Sequence, residues 1–234
     1  MRHVWKFPLR LALLPCLGLL CLGLAGCGGS NEPAAAEAEA DAAESADGPQ
    51  KRSLAEPIVL KEPNPEYYPT VVLNTSLGEL TVRLDAKRAP RTVNNFLHYV
   101  QSGHYNQTIF HQIEEGYVVL GGSYTADLAE KDNRYPIPNE ADNGLKNVRG
   151  TIAMARQPDE IDSSTSQFFI NLSDNPNLDH RGESPEEFGF CVFGEVIEGL
   201  DVLDRMGQIE VQSTEQFEKL PVETVLIESA RRVR

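Results

Sequence analysis

Side chains that could attack a substrate, transfer a proton or hold a metal are scattered along this chain, and two short segments say more about function than the rest. The five histidines are His3, His98, His104, His111 and His180, and none has a cysteine or a second histidine at ligand spacing. No metal site is expected from such a pattern, and no cofactor. Cys191 stands in the apolar run 190–193, where a buried, inert thiol is the expected state. The two rich segments are TIFHQIEEGYVVLGG at 108–122, with Gln112 and Tyr117, and STSQFFINL at 164–172, with Gln167 and Phe169. His111 reads as a structural histidine within a strand, His98 as a surface one, and Glu114 with Glu115 as a charged turn.

These segments need strands to present them, and the strand signal is strong. Val71, Val72 and Leu73, then Leu80, Val82 and Leu84, flank the Leu77-Gly78-Glu79 turn, which predicts an antiparallel hairpin with one buried face. Pro90 suits a first helical turn, and Val93, Phe96, Leu97 and Val100 recur at helical spacing until Gly103. Short strands follow at 108–112, 117–120, 150–155, 167–171 and 191–196, then a second helix at 200–206 and a strand at 225–227. Many short strands with two helices predict a mainly β fold, a closed antiparallel barrel capped at its ends, because closure removes exposed strand edges. That pattern alone serves several barrel folds.

The chain around this core bounds its setting. With 234 residues, 41% of them hydrophobic, it can bury one good domain plus extensions but hardly two. A net charge of −14 excludes a phosphate-wrapping surface, so nucleic acid is not an expected partner. Arg2, Lys6 and Arg10 precede an apolar stretch at 11–24, and Leu24-Ala25-Gly26-Cys27 follows at once. This resembles a bacterial lipobox. The resemblance implies a signal peptide over 1–26 and acylation of Cys27, and the apolar stretch falls short of the roughly 20 residues that span a bilayer. Residues 27–66, rich in alanine, glutamate and proline, bury too little apolar surface to order themselves and read as a tether. A folded domain is expected over 67–234. Gly28 after the cysteine implies outer-membrane sorting if the organism is Gram-negative, with the domain lipid-anchored in the cell envelope, on the periplasmic face.

The folded part resembles the cyclophilins, the peptidyl-prolyl cis-trans isomerases, and most closely their bacterial branch. The resemblance rests on APRTVNNF at 89–96, GHYNQTIFH at 103–111, NEADNGLKNVRGTIAMAR at 139–156, SQFFIN at 166–171 and FCVFGEVIEGLDVLD at 190–204, in matching order. It implies an eight-stranded barrel capped by two α-helices, a rotamase that assists protein folding, proline-containing polypeptides as partners, and a monomer. Rotation about an Xaa-Pro bond faces a barrier of about 18–20 kcal/mol set by amide resonance, so a catalyst must favour the twisted amide. An apolar pocket, backbone-holding amides and a donor aimed at the proline nitrogen suffice, with no nucleophile or acid-base pair.

Carried over by position, the resemblance implies catalytic roles for Gln112, Tyr117, Gln167 and Phe169, and substrate-binding roles for Val118, Leu120, Met154, Ala155, Leu178 and Phe190. Phe169 matches the aromatic beneath the proline ring, and Gln167 the amide that holds peptide backbone. Asn177 falls where an aromatic is frequent. Two departures are polar: Gln112 stands where the family carries its catalytic arginine, and Leu120 where it carries a glutamine. Arg156 could supply the missing cation, but a surface role is expected for it. The implied activity is isomerisation of exported proteins with reduced turnover; the alternative is a cyclophilin-fold proline-binding module or chaperone with little catalysis.

Overall fold

A computed structural model describes residues 68–233, so the expected signal peptide, Cys27 and the tether lie outside the described residues. The first strands are β1 (Thr70–Thr75) and β2 (Gly78–Leu84), followed by helix α1 (Pro90–Gln101), β3 (Thr108–Glu114), β4 (Val118–Thr125), β5 (Thr151–Met154) and β6 (Phe168–Asn171). Then come β7 (Val192–Glu198), helix α2 (Leu200–Gly207), the two-residue strands β8 (Val211–Gln212) and β9 (Leu220–Pro221), and β10 (Val225–Arg232). Eight strands close a barrel in the order β1-β10-β3-β4-β6-β5-β7-β2, while β8 and β9 pair separately.

Alternation along each strand divides the barrel wall into two faces. Leu80, Val82 and Leu84 on β2, Phe168 and Ile170 on β6, and Ile152 and Met154 on β5 all belong to the interior cluster. α1 lays Val93, Phe96 and Val100 into that cluster, and α2 adds Val202, Leu203 and Met206. Phe96 meets Phe168 edge-on at 5.7 Å, whereas a Cβ on Gly207 would stand 2.9 Å from Leu172. The two helices therefore cover opposite ends of β6, and with them opposite ends of the barrel.

The register of β3 against β4 is broken where it matters. Phe110 pairs with Gly121 and Gln112 with Leu120, so β3 carries one residue more than its partner there. Phe110 and Ile113 both point inward, and the bulge leaves His111 and Gln112 between them. Gly122 makes the tight approach possible: its φ of +96° suits glycine, and a Cβ would lie 2.9 Å from the Phe168 ring.

These elements depart from expectation at Glu114, Tyr117 and Arg156 and in the β8–β9 pair. Glu114 is the last residue of β3 rather than part of a turn, and Tyr117 sits in the turn rather than the strand. The β8–β9 pair was not expected; it brings Phe217 over Ile109 and Tyr124 in a separate apolar cluster. Arg156 is buried, 5% exposed, and is no surface residue. Cys191 is a buried free thiol as expected, pushed up to about 12 chiefly by burial.

Candidate active site

The outer face of the barrel carries a second apolar cluster, and the register explains why it forms there. Across neighbouring strands, Gln112 pairs with Leu120, Leu120 with Phe169, Phe169 with Ala153 and Ala153 with Val192. Paired residues share a face, so these five form one row across β3, β4, β6, β5 and β7. Val118, Leu120, Ala153, Ala155, Phe169, Leu178 and Val192 build the cluster, with Tyr117, Leu145 and Phe190 packed against it. Met154 is the exception among the expected binding residues. Its side chain lies in the interior cluster, because strand alternation turns it away from Ala153 and Ala155.

Loops supply the walls. Leu178 closes a single 3-10 turn, Pro176–Leu178, and the Phe190 amide donates to its carbonyl at 2.9 Å. That closeness depends on Gly189, whose φ is +77° and whose Cβ would collide with backbone atoms of 178–180 at 2.6 to 2.7 Å. Phe190 then meets Phe169 edge-on, with ring centroids 5.6 Å apart. An aromatic pair of this geometry contributes about 0.5–1.5 kcal/mol beyond its buried area.

Arg156 sets the far wall from below. Its guanidinium lies 5.1 Å from the Phe190 ring centroid. It donates to the carbonyls of Gly189, Gln157 and Pro158, each at 2.9 Å, and to that of Pro185. With its donors spread over four backbone oxygens, it holds the 185–190 segment in place and does not reach out as a replacement catalytic cation.

A buried amide network fixes the opposite wall, and nothing in the residue order singled it out. Asn171 donates to Thr151 Oγ1 at 2.9 Å and to Asn147 Oδ1 at 3.2 Å. Asn175 donates to Asn171 Oδ1 at 2.8 Å and to the Tyr117 carbonyl at 3.0 Å. Asp179 accepts from the Asn147 backbone at 2.8 Å. The 3-10 turn with Leu178 and the turn with Tyr117 are thus tied to one core. Asn177 donates to the Tyr117 hydroxyl at 2.8 Å. Burial raises the pKa of that phenol, an effect the Asn177 bond opposes and the Glu114 charge reinforces.

The polar groups of the groove are two amides and a carboxylate. Gln112 Nε2 donates to Glu114 Oε1 at 2.8 Å, a contact that alternate positions on one face of β3 permit. Gln167 is half-buried and its Oε1 is sealed from solvent without a hydrogen-bond partner. Such an acceptor costs about 1–3 kcal/mol when left alone. His111 lies on the other side of the bulge, 4.7 Å from the Tyr124 ring and 5.4 Å from Phe217. Burial lowers its pKa to about 3, and it takes no part in the groove. Among the described residues, no group of three His, Cys, Asp or Glu side chains is placed to hold a metal.

Comparison with known proteins matches this architecture. The family model for the cyclophilin type peptidyl-prolyl cis-trans isomerases matches residues 70–232. The chain is 44% identical over 164 residues to peptidyl-prolyl cis-trans isomerase A of Dickeya dadantii, covering 70% of this chain and 84% of that one. It is 47% identical over 162 residues to an isomerase of Streptomyces antibioticus, covering 69% and 97% of the two chains. With isomerase B of Escherichia coli the identity is 43% over 159 residues, covering 68% and 96%. In fold it resembles a Cryptosporidium parvum cyclophilin type isomerase, with a TM-score of 0.59 and 24% identity over 72% of this chain and 99% of that one.

Proposed function

This chain belongs to the cyclophilin-type peptidyl-prolyl cis-trans isomerases, and from that premise we propose that it turns over Xaa-Pro bonds of exported proteins at a reduced rate. The row of Gln112, Leu120, Phe169 and Ala153 carries the reading, because it sets an amide donor beside an apolar, aromatic-floored groove. A proline ring packs against the partly exposed Tyr117 and Phe190 that edge the cluster, over the buried Phe169 and Leu178. Gln167, two positions from Phe169 in the chain, holds the peptide backbone through its amide.

The reduced rate follows from the donor. A cation aimed at the proline nitrogen makes a charge-assisted bond roughly twice as strong as a neutral one. Losing one donor of this kind commonly costs about 2.7–4 kcal/mol, or about a hundredfold to a thousandfold in rate. Gln112 supplies a neutral amide already engaged by Glu114, while Leu120 supplies no polar atom at all. The same two residues support a second reading, a proline-binding module or chaperone with little catalysis.

The test is exchange NMR on an Ala-Pro peptide with the full chain in mild detergent. Turnover about a hundredfold to a thousandfold below an arginine-bearing cyclophilin is the expected result, and a rate equal to it would sink the claim of weakened catalysis. Binding at the groove without measurable exchange would replace it with the second reading.

The setting is part of the proposal. The apolar stretch at 11–24 and the cysteine at 27 support lipid anchoring in the cell envelope, which makes exported chains the clients.

A further inference from the structure

Acidic groups surround the groove, and one stands among its working residues. Glu114 accepts from Gln112 Nε2 at 2.8 Å, and its charge bears on the Tyr117 phenol. The carboxylate thus lies against two of the residues that hold a proline peptide. Glu115 follows it in the exposed turn. On the other wall, Asp159 and Glu186 lie near enough to Arg156 to act on its charge, and Glu183 and Glu187 are exposed in the same loop. The guanidinium of Arg156 is itself spent on backbone carbonyls beneath Phe190.

We propose that Glu114 makes the groove selective for proline peptides with a lysine or arginine beside the proline, and selective against peptides with an acidic residue there. The proposal rests on the reading of this groove as a proline-peptide site. An anion at the point where a peptide leaves the apolar floor favours a cationic side chain and repels a carboxylate. Glu114 does this without touching the rotating bond, so it is a specificity residue. Because the pairs are partly exposed, salt must weaken the effect.

The test compares peptides of one length in which proline is flanked by alanine, lysine or glutamate, using the full chain in mild detergent. Both exchange rate and binding, followed by chemical-shift change, are read as the lysine-to-glutamate ratio, in which a uniform loss of activity cancels. At low ionic strength the expected ratio is about fivefold or more, falling toward one in about 1 M salt. Glu114→Gln should bring the ratio close to one, and Glu114→Lys should invert it. A ratio near one in the unaltered protein, or one untouched by Glu114→Gln, overturns the proposal. The alanine-flanked peptide separates the two claims. If it binds at the groove while the ratio is flat, only the selectivity fails, and if no peptide binds there, the proline-site reading fails with it.

Discussion

Gln112 and Glu114 sit on one face of β3 two positions apart, and each defines what the other can do. The Gln112 amide donates to the neighbouring carboxylate at 2.8 Å, so a guanidinium placed there meets the same acceptor. Arginine pairs with a carboxylate through two parallel bonds, and donors held that way are not aimed at a proline nitrogen. If turnover is reduced as proposed, Gln112→Arg alone should therefore recover only part of it. With Glu114→Gln added, the gain should rise by about a further tenfold, equal to about 1.4 kcal/mol of transition-state stabilisation. Exchange NMR on the two variants decides it. A single substitution that restores full turnover would show that Glu114 does not compete, and no gain in either variant would favour binding without catalysis.

At the scale of elements, β3 works because of its bulge. Period-two alternation from Phe110 assigns Gln112 to the interior, and only the extra residue returns Ile113 to the core and leaves Gln112 facing the groove. No spacing of apolar residues announced that, which is why the resemblance, not the alternation, located Gln112. The barrel itself was legible because Leu80, Val82 and Leu84 alternate cleanly and the pairing partners lie in a simple order. β8 and β9 were not legible, since two residues each are too few to show a period. Arg156 was misplaced for a related reason: a charged residue reads as surface unless the carbonyls that receive its donors are known, and two of the four come from a loop 29 and 33 positions away.

The unforeseen hairpin has an energetic consequence. Phe217 and Tyr124 enclose His111 beside the bulge, so the imidazole is kept neutral, its pKa lowered by burial to about 3 from 6.5. A histidine depressed in the folded state binds more protons when unfolded throughout the window between those values, so stability falls as pH falls through it. Between pH 7 and pH 5 this group alone should remove about 2 kcal/mol. Urea unfolding of wild type and His111→Phe at both pH values measures it, with the variant expected to lose about 2 kcal/mol less over the interval. An identical pH dependence in the two proteins would show that His111 is not held neutral.

For the whole molecule, charge and anchoring act together. The chain carries a net charge of −14, so an anionic bilayer surface repels the domain while a lipid would hold it near. One acyl chain gives only marginal anchoring, and stable attachment needs more than one. The acylated cysteine of a lipoprotein meets that need, as a bare polypeptide of this charge does not. On the proposed lipid anchoring, Cys27 is the residue on which location depends. Metabolic labelling with an alkyne fatty acid should tag the wild-type protein and leave Cys27→Ser untagged, while the isomerase assay on the two purified proteins should agree within about twofold, since the groove is built wholly within 112–192. Equal labelling of both proteins, or none of the wild type, would remove the lipid anchor from the account while leaving the barrel and its groove as described.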